Sequence, residues 1–214
     1  MPRITGLVRL KGCGLALLLA ALVLLAGRTA LAQSAGTVIG ISGDCFVVGS
    51  GRSVSLTLGQ PVHIGDVLDV TASAKLKLRM ADGSIVSVAS GSRVTIRAYA
   101  VDAAGRLQDA ALSLGRGLLR AIVAPVTGPA RFEVDTAVGT AAARSTDWFV
   151  EAFPTSMQVA VLSGAVVMTG AATGASVAIP ARWGARLESG RDPVPPRVWS
   201  QAEFDAVIAR TEVP

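Results

Sequence analysis

The segment 140–149, TAAARSTDWF, places a cation, two hydroxyls and a carboxylate next to one another. In a serine hydrolase, a hydroxyl attacks the substrate, a histidine takes up the proton and an acid orients that histidine. Arg144, Ser145 and Asp147 supply groups of these types, and His63 would have to act as the base. This hydrolase hypothesis requires His63 and Ser145 to lie within hydrogen-bonding reach of each other. The same segment also has the form of a polar turn between two buried strands.

The chain contains few residues that could serve as catalytic bases or metal ligands. It has one histidine, His63, and two cysteines, Cys13 and Cys45. A zinc site built from cysteine and histidine needs more ligands than these. Cys45 is the one cysteine outside the N-terminal apolar segment, and a lone cysteine cannot form an internal disulfide, so we expect it to be buried and unreactive. We therefore expect a protein without enzymatic activity, metal or cofactor.

The first 32 residues have the pattern of an export signal. Arg3, Arg9 and Lys11 precede an apolar stretch at 12–27, and Ala30-Leu31-Ala32 provides the small residues of a cleavage site. The apolar stretch is shorter than the ~20 residues that span a bilayer comfortably. We expect cleavage before Gln33 and a periplasmic location, with no membrane span left after cleavage. The alternative is an uncleaved signal that anchors the protein in the inner membrane.

Removal of this segment changes the charge of the protein. Four of its twenty basic residues and none of its fifteen acids lie in residues 1–32, so the remaining 182 residues carry a net charge of +1. The high isoelectric point therefore comes mostly from the targeting segment, and nucleic acid is not an expected partner.

Beyond residue 33, apolar and polar residues alternate with a period of two. Lys75-Leu76-Lys77-Leu78-Arg79-Met80 is a clear example, and Asp82-Gly83 ends that run. Short alternating segments separated by glycine, aspartate and serine turns predict strands with one buried face. Their spacing of about ten residues favours an all-β fold, either a solenoid-like or rolled sheet of short strands or, as the alternative, a β-sandwich. We assign residues 33–191 to this β domain.

The last 23 residues, 192–214, have a different composition. Asp192-Pro-Val-Pro-Pro is a stiff connector. Ser200 and Glu203 then form the pattern of a helix capping box, and Trp199 and Phe204 that of a hydrophobic staple. A helix of about ten residues is marginally stable in isolation, so we expect it to dock on the β domain rather than on a partner.

Three segments, in chain order, carry a resemblance to a known family. The first contains the Gly65-Asp66 turn, an alternating strand, the Asp82-Gly83-Ser84 turn and a second strand at 85–88. The second is the 132–150 segment with Arg144-Ser145-Thr146, and the third is VAVLSGAVVM at 159–168. Together they resemble the FecR family over residues 36–187. That family usually has a Val-Arg-Gly-Thr-x-Phe-like segment. Ser145 stands in place of its glycine, so we expect no glycine-specific backbone conformation there.

The resemblance implies an exported, all-β, solenoid-like domain that acts as a periplasmic sensing or protein-contact module. The best-known members relay the occupancy of an outer-membrane transporter to a cytoplasmic sigma factor through an N-terminal cytoplasmic segment and a membrane span. Only eleven residues precede the apolar segment here, so we expect a free periplasmic FecR-like protein rather than direct control of a sigma factor. The motif residues expected to serve structure or interaction are Gly65, Asp66, Asp82, Gly83, Ser84, Arg144, Ser145, Thr146, Trp148 and Phe149.

An envelope protein is the expected partner, bound through a strand edge or through the C-terminal helix. Backbone pairing at an open strand edge needs no special side chains. Trp183, Trp199 and Phe204 are the candidate contact residues. The alternative function is an envelope scaffold that binds glycan or peptidoglycan, in which Trp183 and Trp199 would form the sugar platform.

Overall fold

The computed structural model describes residues 34–49, 52–125 and 130–213, which lie in one compact unit, Gln33–Pro214. The predicted signal peptide lies outside the described residues, so its cleavage stays a prediction. Within the described part, no helix is long and apolar enough to cross a membrane.

The described residues form seventeen strands and one helix. The strands are β1 (Ser34–Ser42), β2 (Cys45–Gly49), β3 (Arg52–Ser55), β4 (Pro61–His63), β5 (Val67–Val70), β6 (Lys75–Met80), β7 (Ile85–Val88), β8 (Arg93–Val101), β9 (Leu107–Ile122), β10 (Arg131–Asp135), β11 (Gly139–Ala143), β12 (Asp147–Phe153), β13 (Ser156–Ser163), β14 (Ala165–Gly170), β15 (Ser176–Pro180), β16 (Trp183–Glu188) and β17 (Arg197–Val198). The helix, α1, is Gln201–Thr211.

The strands form two layers that are joined through β9. Layer 1 has the order β4-β1-β6-β7-β9-β12-β13-β16-β17. Layer 2 has the order β3-β2-β5-β8-β9-β10-β11-β14-β15. Among the described strands, β9 and β10 form the single parallel pair. Because β9 belongs to both layers, the whole is one continuous, open sheet that is rolled over a common core.

The bend that takes β9 from one layer to the other lies at Gly117. This residue has φ +92°, and an added Cβ would lie 2.2 Å from Ser92 Oγ. The buried Ser92 hydroxyl instead accepts a hydrogen bond from the backbone N–H of Leu118 at 3.0 Å. A side chain at position 117 would therefore break the contact that holds the bend.

One apolar core lies between the two layers. Alternate residues of many strands point into it, as in β6, where Leu76, Leu78 and Met80 are buried. Phe132 of layer 2 and Trp148 of layer 1 are both fully buried in it, and their rings meet edge to face at 6.4 Å. This pair ties the layers together, since edge-to-face rings add to the stabilisation from apolar burial.

The outer face of layer 1 has a second, smaller apolar cluster where α1 docks. The capping box predicted at Ser200 and Glu203 is present. The staple pair, Trp199 and Phe204, is also in contact, with ring centroids 5.3 Å apart. The helix covers part of the outer face of layer 1.

The prediction of an all-β fold with a short C-terminal helix is confirmed. The rolled sheet is the form that the strands take, and it stays open at its edge strands β3, β4, β15 and β17. The proposed division at residues 191 and 192 stays a prediction. The connector side of that division contributes β17 to layer 1.

Candidate functional site

The Arg-Ser-Thr motif forms a tight turn between β11 and β12. Arg144 and Ser145 are exposed at its tip, whereas Thr146 is buried. The Thr146 hydroxyl lies between two carbonyl acceptors, that of Arg144 within the turn and that of Ala165 at 3.2 Å on β14. This hydroxyl therefore links the turn, which connects layer 2 to layer 1, to β14 of layer 2.

Gly164, in the turn between β13 and β14, makes room for Thr146. It has φ +86°, and an added Cβ would lie 2.6 Å from Thr146 Oγ1 and 3.1 Å from the carbonyl oxygen of Ser145. Two family segments thus meet in one contact, between the glycine of Leu-Ser-Gly-Ala-Val and the threonine of Arg-Ser-Thr. Their shared role is to close the corner between the layers.

The expectation for Ser145 is wrong. We expected no glycine-specific conformation, but the residue has φ +45°, in the left-handed region. An L side chain there is strained by contact between its Cβ and the following carbonyl. Serine therefore takes a backbone conformation that favours glycine.

Asp147 pairs with Arg120 of β9 rather than with the nearby Arg144. Its carboxylate accepts two hydrogen bonds from Arg120 of β9, at 2.9 and 2.8 Å, and both side chains are more than four-fifths buried. The Arg120 guanidinium also lies 5.2 Å from the centre of the Phe149 ring. The ion pair therefore fixes β12 to β9 immediately after the motif turn.

Trp148 and Phe149 are both buried, but on opposite sides of layer 1. Trp148 points into the main core, and Phe149 lies in the outer cluster beneath α1. The Trp148 indole N–H has no acceptor among the described residues. The family motif places phenylalanine at this position, and phenylalanine would bury no such donor.

The Asp82-Gly83-Ser84 turn is the centre of a polar network. Asp82 accepts hydrogen bonds at 2.6 Å from both the Ser84 hydroxyl and the phenol of Tyr99. The Ser84 hydroxyl in turn accepts the N–H of Ala124 at 2.9 Å. Burial, and then the adjacent Asp82 carboxylate, raise the pKa of Tyr99. The network joins the β6–β7 turn to β8 and to the end of β9.

The Gly65-Asp66 turn is held by a hydrogen bond to the Asp66 side chain. Asp66 Oδ2 accepts the backbone N–H of His63 at 2.7 Å, and Gly65 has φ +93°. The backbone of Asp66 also pairs with Ile96, whose N–H donates at 3.0 Å. This turn therefore fixes the approach of β5 to β8.

The hydrolase hypothesis fails on geometry. His63 lies on β4 at the edge of layer 1, and Ser145 immediately precedes β12, five strands away. At ~4.8 Å per strand the separation along the sheet is about 24 Å. Within the part of the chain that the structure describes, no group of His, Cys, Asp and Glu side chains could hold a metal ion.

The three candidate contact residues lie in different environments. Trp199 and Phe204 are buried in the cluster between α1 and layer 1. Trp183 is 36 % exposed on β16, opposite the 60 % exposed Val198 of edge strand β17. In this conformation, Trp183 alone of the three offers an exposed ring.

A shallow groove of about 400 Å³ lies beside the motif turn on the outer face of layer 2. It is lined by Arg131, Ala142, Ala143, Arg144, Ala165 and Val167. Sequence reasoning missed Arg131, which pairs with Glu133, and Arg120, which pairs with Asp147. Their outward positions follow from alternation, but their partners depend on strand pairing and turn geometry.

The geometry defines a class of protein: an all-β module whose signature residues hold turns and layers together. Residues 66–167 match the model of the FecR family, described as FecR protein, so the predicted resemblance is confirmed and this stretch is a FecR domain. No curated protein matches the chain.

Two crystal structures of a candidate anti-sigma factor from Parabacteroides distasonis ATCC 8503 share the fold. Their TM-scores are 0.55 and 0.54, at 13 % and 14 % sequence identity. Each match covers 65 % of this chain, and the matched parts span 63 % and 62 % of the other protein. At this identity, the likeness shows the fold alone.

Proposed function

We propose that this chain is an exported, non-catalytic FecR-like protein that acts in the periplasm as a sensing or protein-interaction module in cell-envelope signalling. The observation that carries the proposal is the FecR domain, which extends from the Gly-Asp turn before β5 into β14. The likeness in fold to a candidate anti-sigma factor supports the same signalling context.

The roles of the motif residues support a non-catalytic function. Asp66, Asp82 and Thr146 all direct their side chains to turn amides, hydroxyls or carbonyls of their own chain. Asp147 is held in a bidentate ion pair. These groups are occupied in holding the fold, so recognition falls to the edges and outer faces of the sheet.

The open strand edges are the surfaces that we propose for contact with a protein partner. Each of the edge strands β3 and β15 pairs with a single neighbour among the described strands. The four residues of β3 are all exposed, and Val54 is 56 % exposed. An extended segment of a partner could add to such an edge by backbone hydrogen bonds.

Site-specific photo-crosslinking in cells tests this proposal. A photoreactive amino acid is placed at Val54 on β3, at Ala178 on β15 and, as the matched control, at Ala104 in the exposed β8–β9 turn. We expect a discrete crosslinked envelope protein from position 54 or 178 and none from 104. Equal or absent crosslinking at all three positions would reject the strand edges as the interaction surface.

The location is tested on the same material. N-terminal sequencing of the protein from the periplasmic fraction is expected to begin at Gln33. An intact N-terminus in the membrane fraction would instead support the uncleaved anchor.

A further inference from the structure

The outer face of layer 1 contains a seat for α1 that is separate from the main core. Phe204 and Val207 of the helix are buried against Leu118, Phe149 and Ala160. The main core cluster contains no residue of α1. The helix could therefore leave its seat without opening the core between the layers.

Two glycines shape the ends of this seat. A Cβ at Gly184 would lie 2.1 Å from the Trp199 indole nitrogen, so the indole rests directly on the backbone of β16. A Cβ at Gly40 would lie 3.1 Å from Val213 Cγ1, beyond the other end of the helix. The seat is thus complementary to a particular helix and its flanks rather than generally apolar.

Polar contacts at the rim orient the helix. Lys75 Nζ donates to the carbonyls of Ala209 at 2.8 Å and Glu212 at 2.9 Å, at the negative end of the helix dipole. Arg182 lies 4.5 Å from the centre of the Phe204 ring. These groups are largely exposed, and exposed charge contacts contribute little to stability. They determine the orientation of the helix more than they stabilise its docking.

The attachment of α1 favours local release. The helix has 11 residues, which is marginal for a helix in isolation. It follows the two-residue strand β17 and the exposed segment that contains Pro193, Pro195 and Pro196. Such an element can open at a free energy below that of global unfolding.

We propose that α1 is a displaceable lid, and that its seat binds an amphipathic helix of a protein partner in its place. This proposal rests on the proposed function, because it assigns a partner to the interaction module. The fitting helix carries an aromatic residue followed three positions later by an aliphatic one, as Phe204 and Val207 do. Its C-terminal carbonyls face Lys75, which fixes the orientation in this helix-in-groove mode.

Exchange of a helix in trans tests the lid. The probe is a fluorescently labelled peptide of residues 197–213, titrated onto the full mature chain and followed by anisotropy. In the Phe204→Ala variant the protein's own helix loses its anchor, while Asp205→Ala on the exposed helix face is the matched control. If the seat is free in about 1 % of wild-type molecules, the apparent affinity rises up to about 100-fold when it is freed.

We expect the peptide to bind Phe204→Ala at least tenfold more tightly than wild type, and Asp205→Ala like wild type. Adding Trp199→Ala to Phe204→Ala frees the indole site on β16 as well, and Gly184→Ala in that background should weaken binding again, because the indole of the peptide can no longer lie on β16. Amide exchange across β12 and β13 verifies that each variant keeps its core. Equal binding to wild type and Phe204→Ala, with that core intact, would overturn the lid, as would binding unaffected by Gly184→Ala. The crosslinking result at the strand edges is independent of either outcome.

Discussion

The corner made by Thr146 and Gly164 allows a quantitative test of the FecR motif. In Gly164→Ala the new methyl group would lie 2.6 Å from Thr146 Oγ1. Gly164→Ala also places an L residue at φ +86°, which costs about 1–2 kcal/mol. Overpacking against the buried threonine adds about 1–3 kcal/mol. The expected loss in free energy of unfolding is therefore about 2–5 kcal/mol.

Gly174 provides the matched control. It has φ +70° in the β14–β15 turn, but an added Cβ would meet no atom within 4 Å. Gly174→Ala should thus lower the free energy of unfolding by about 1–2 kcal/mol, because it adds backbone strain without overpacking. Thermal melting measures the difference, at about 2–4 °C per kcal/mol for a domain of this size. The reasoning is refuted if Gly164→Ala and Gly174→Ala have the same melting temperature. It is also refuted if Gly164→Ala destabilises the Thr146→Ala variant as much as it destabilises wild type.

Four further predictions concern single residues. Ser145→Gly should change the free energy of unfolding by less than about 1 kcal/mol, because relief of left-handed strain is offset by the entropy of glycine in the unfolded chain. Urea denaturation measures this change. A larger loss of stability would show that the serine side chain matters more than the backbone strain. Trp148→Phe should lower the free energy of unfolding by less than about 2 kcal/mol, against about 3–5 kcal/mol for Trp148→Ala. The phenylalanine removes a buried N–H that has no acceptor among the described residues. Equal losses of stability for the two variants in urea denaturation would contradict this. Hydrogen bonds from Arg197 and from the backbone of Ser200 lower the pKa of Glu203 from 4.5 to about 2, so its contribution to helix stability is complete above pH 4.5 and is lost as the pH falls towards 2. The protection factors of the α1 amides, which correct for the intrinsic effect of pH on exchange, should fall in that window in wild type and not in Glu203→Gln. Burial, and then the nearby Asp44 carboxylate, raise the pKa of Cys45 to about 11, so iodoacetamide at pH 8 should modify Cys45 only after unfolding, as mass spectrometry of the Cys45 peptide would show.

Local patterns predicted the parts of the fold that depend on local physics. Alternation in β6 correctly gives a buried face at Leu76, Leu78 and Met80. The capping box at Ser200 and Glu203 is equally local, because its hydrogen bonds span three residues. Such features can be derived from spacing along the chain alone.

Contacts between distant segments could not be derived in this way. Arg120 and Asp147 are 27 residues apart, and they meet because β12 pairs with the second part of β9. That pairing follows from the bend at Gly117, one of several glycines that the sequence does not distinguish. The partner of a charged residue on a sheet is therefore fixed only once the strand order is known.

The error at Ser145 has a different cause. Replacement of a family glycine by serine suggested a relaxed conformation, but the Thr146 hydroxyl bonds to the Arg144 carbonyl across the turn, and Gly164 lies against Ser145 and Thr146. The surrounding structure can hold a strained residue when its own contacts outweigh the strain. The identity of a substituted motif residue thus does not reveal its backbone conformation unless its spatial neighbours are also known.

The motif residues that define the FecR resemblance also limit where recognition can occur. Asp66, Asp82 and Thr146 bind turns of their own chain, and Trp148 fills the core. A partner that touched the buried Thr146 or Trp148 would have to open the fold. The edge strands β3 and β15, by contrast, contain no motif residue, so they can vary without loss of the corner contacts. Specificity for an envelope partner should accordingly be altered by changes at β3, β15 or the seat of α1, and stability by changes in the motif.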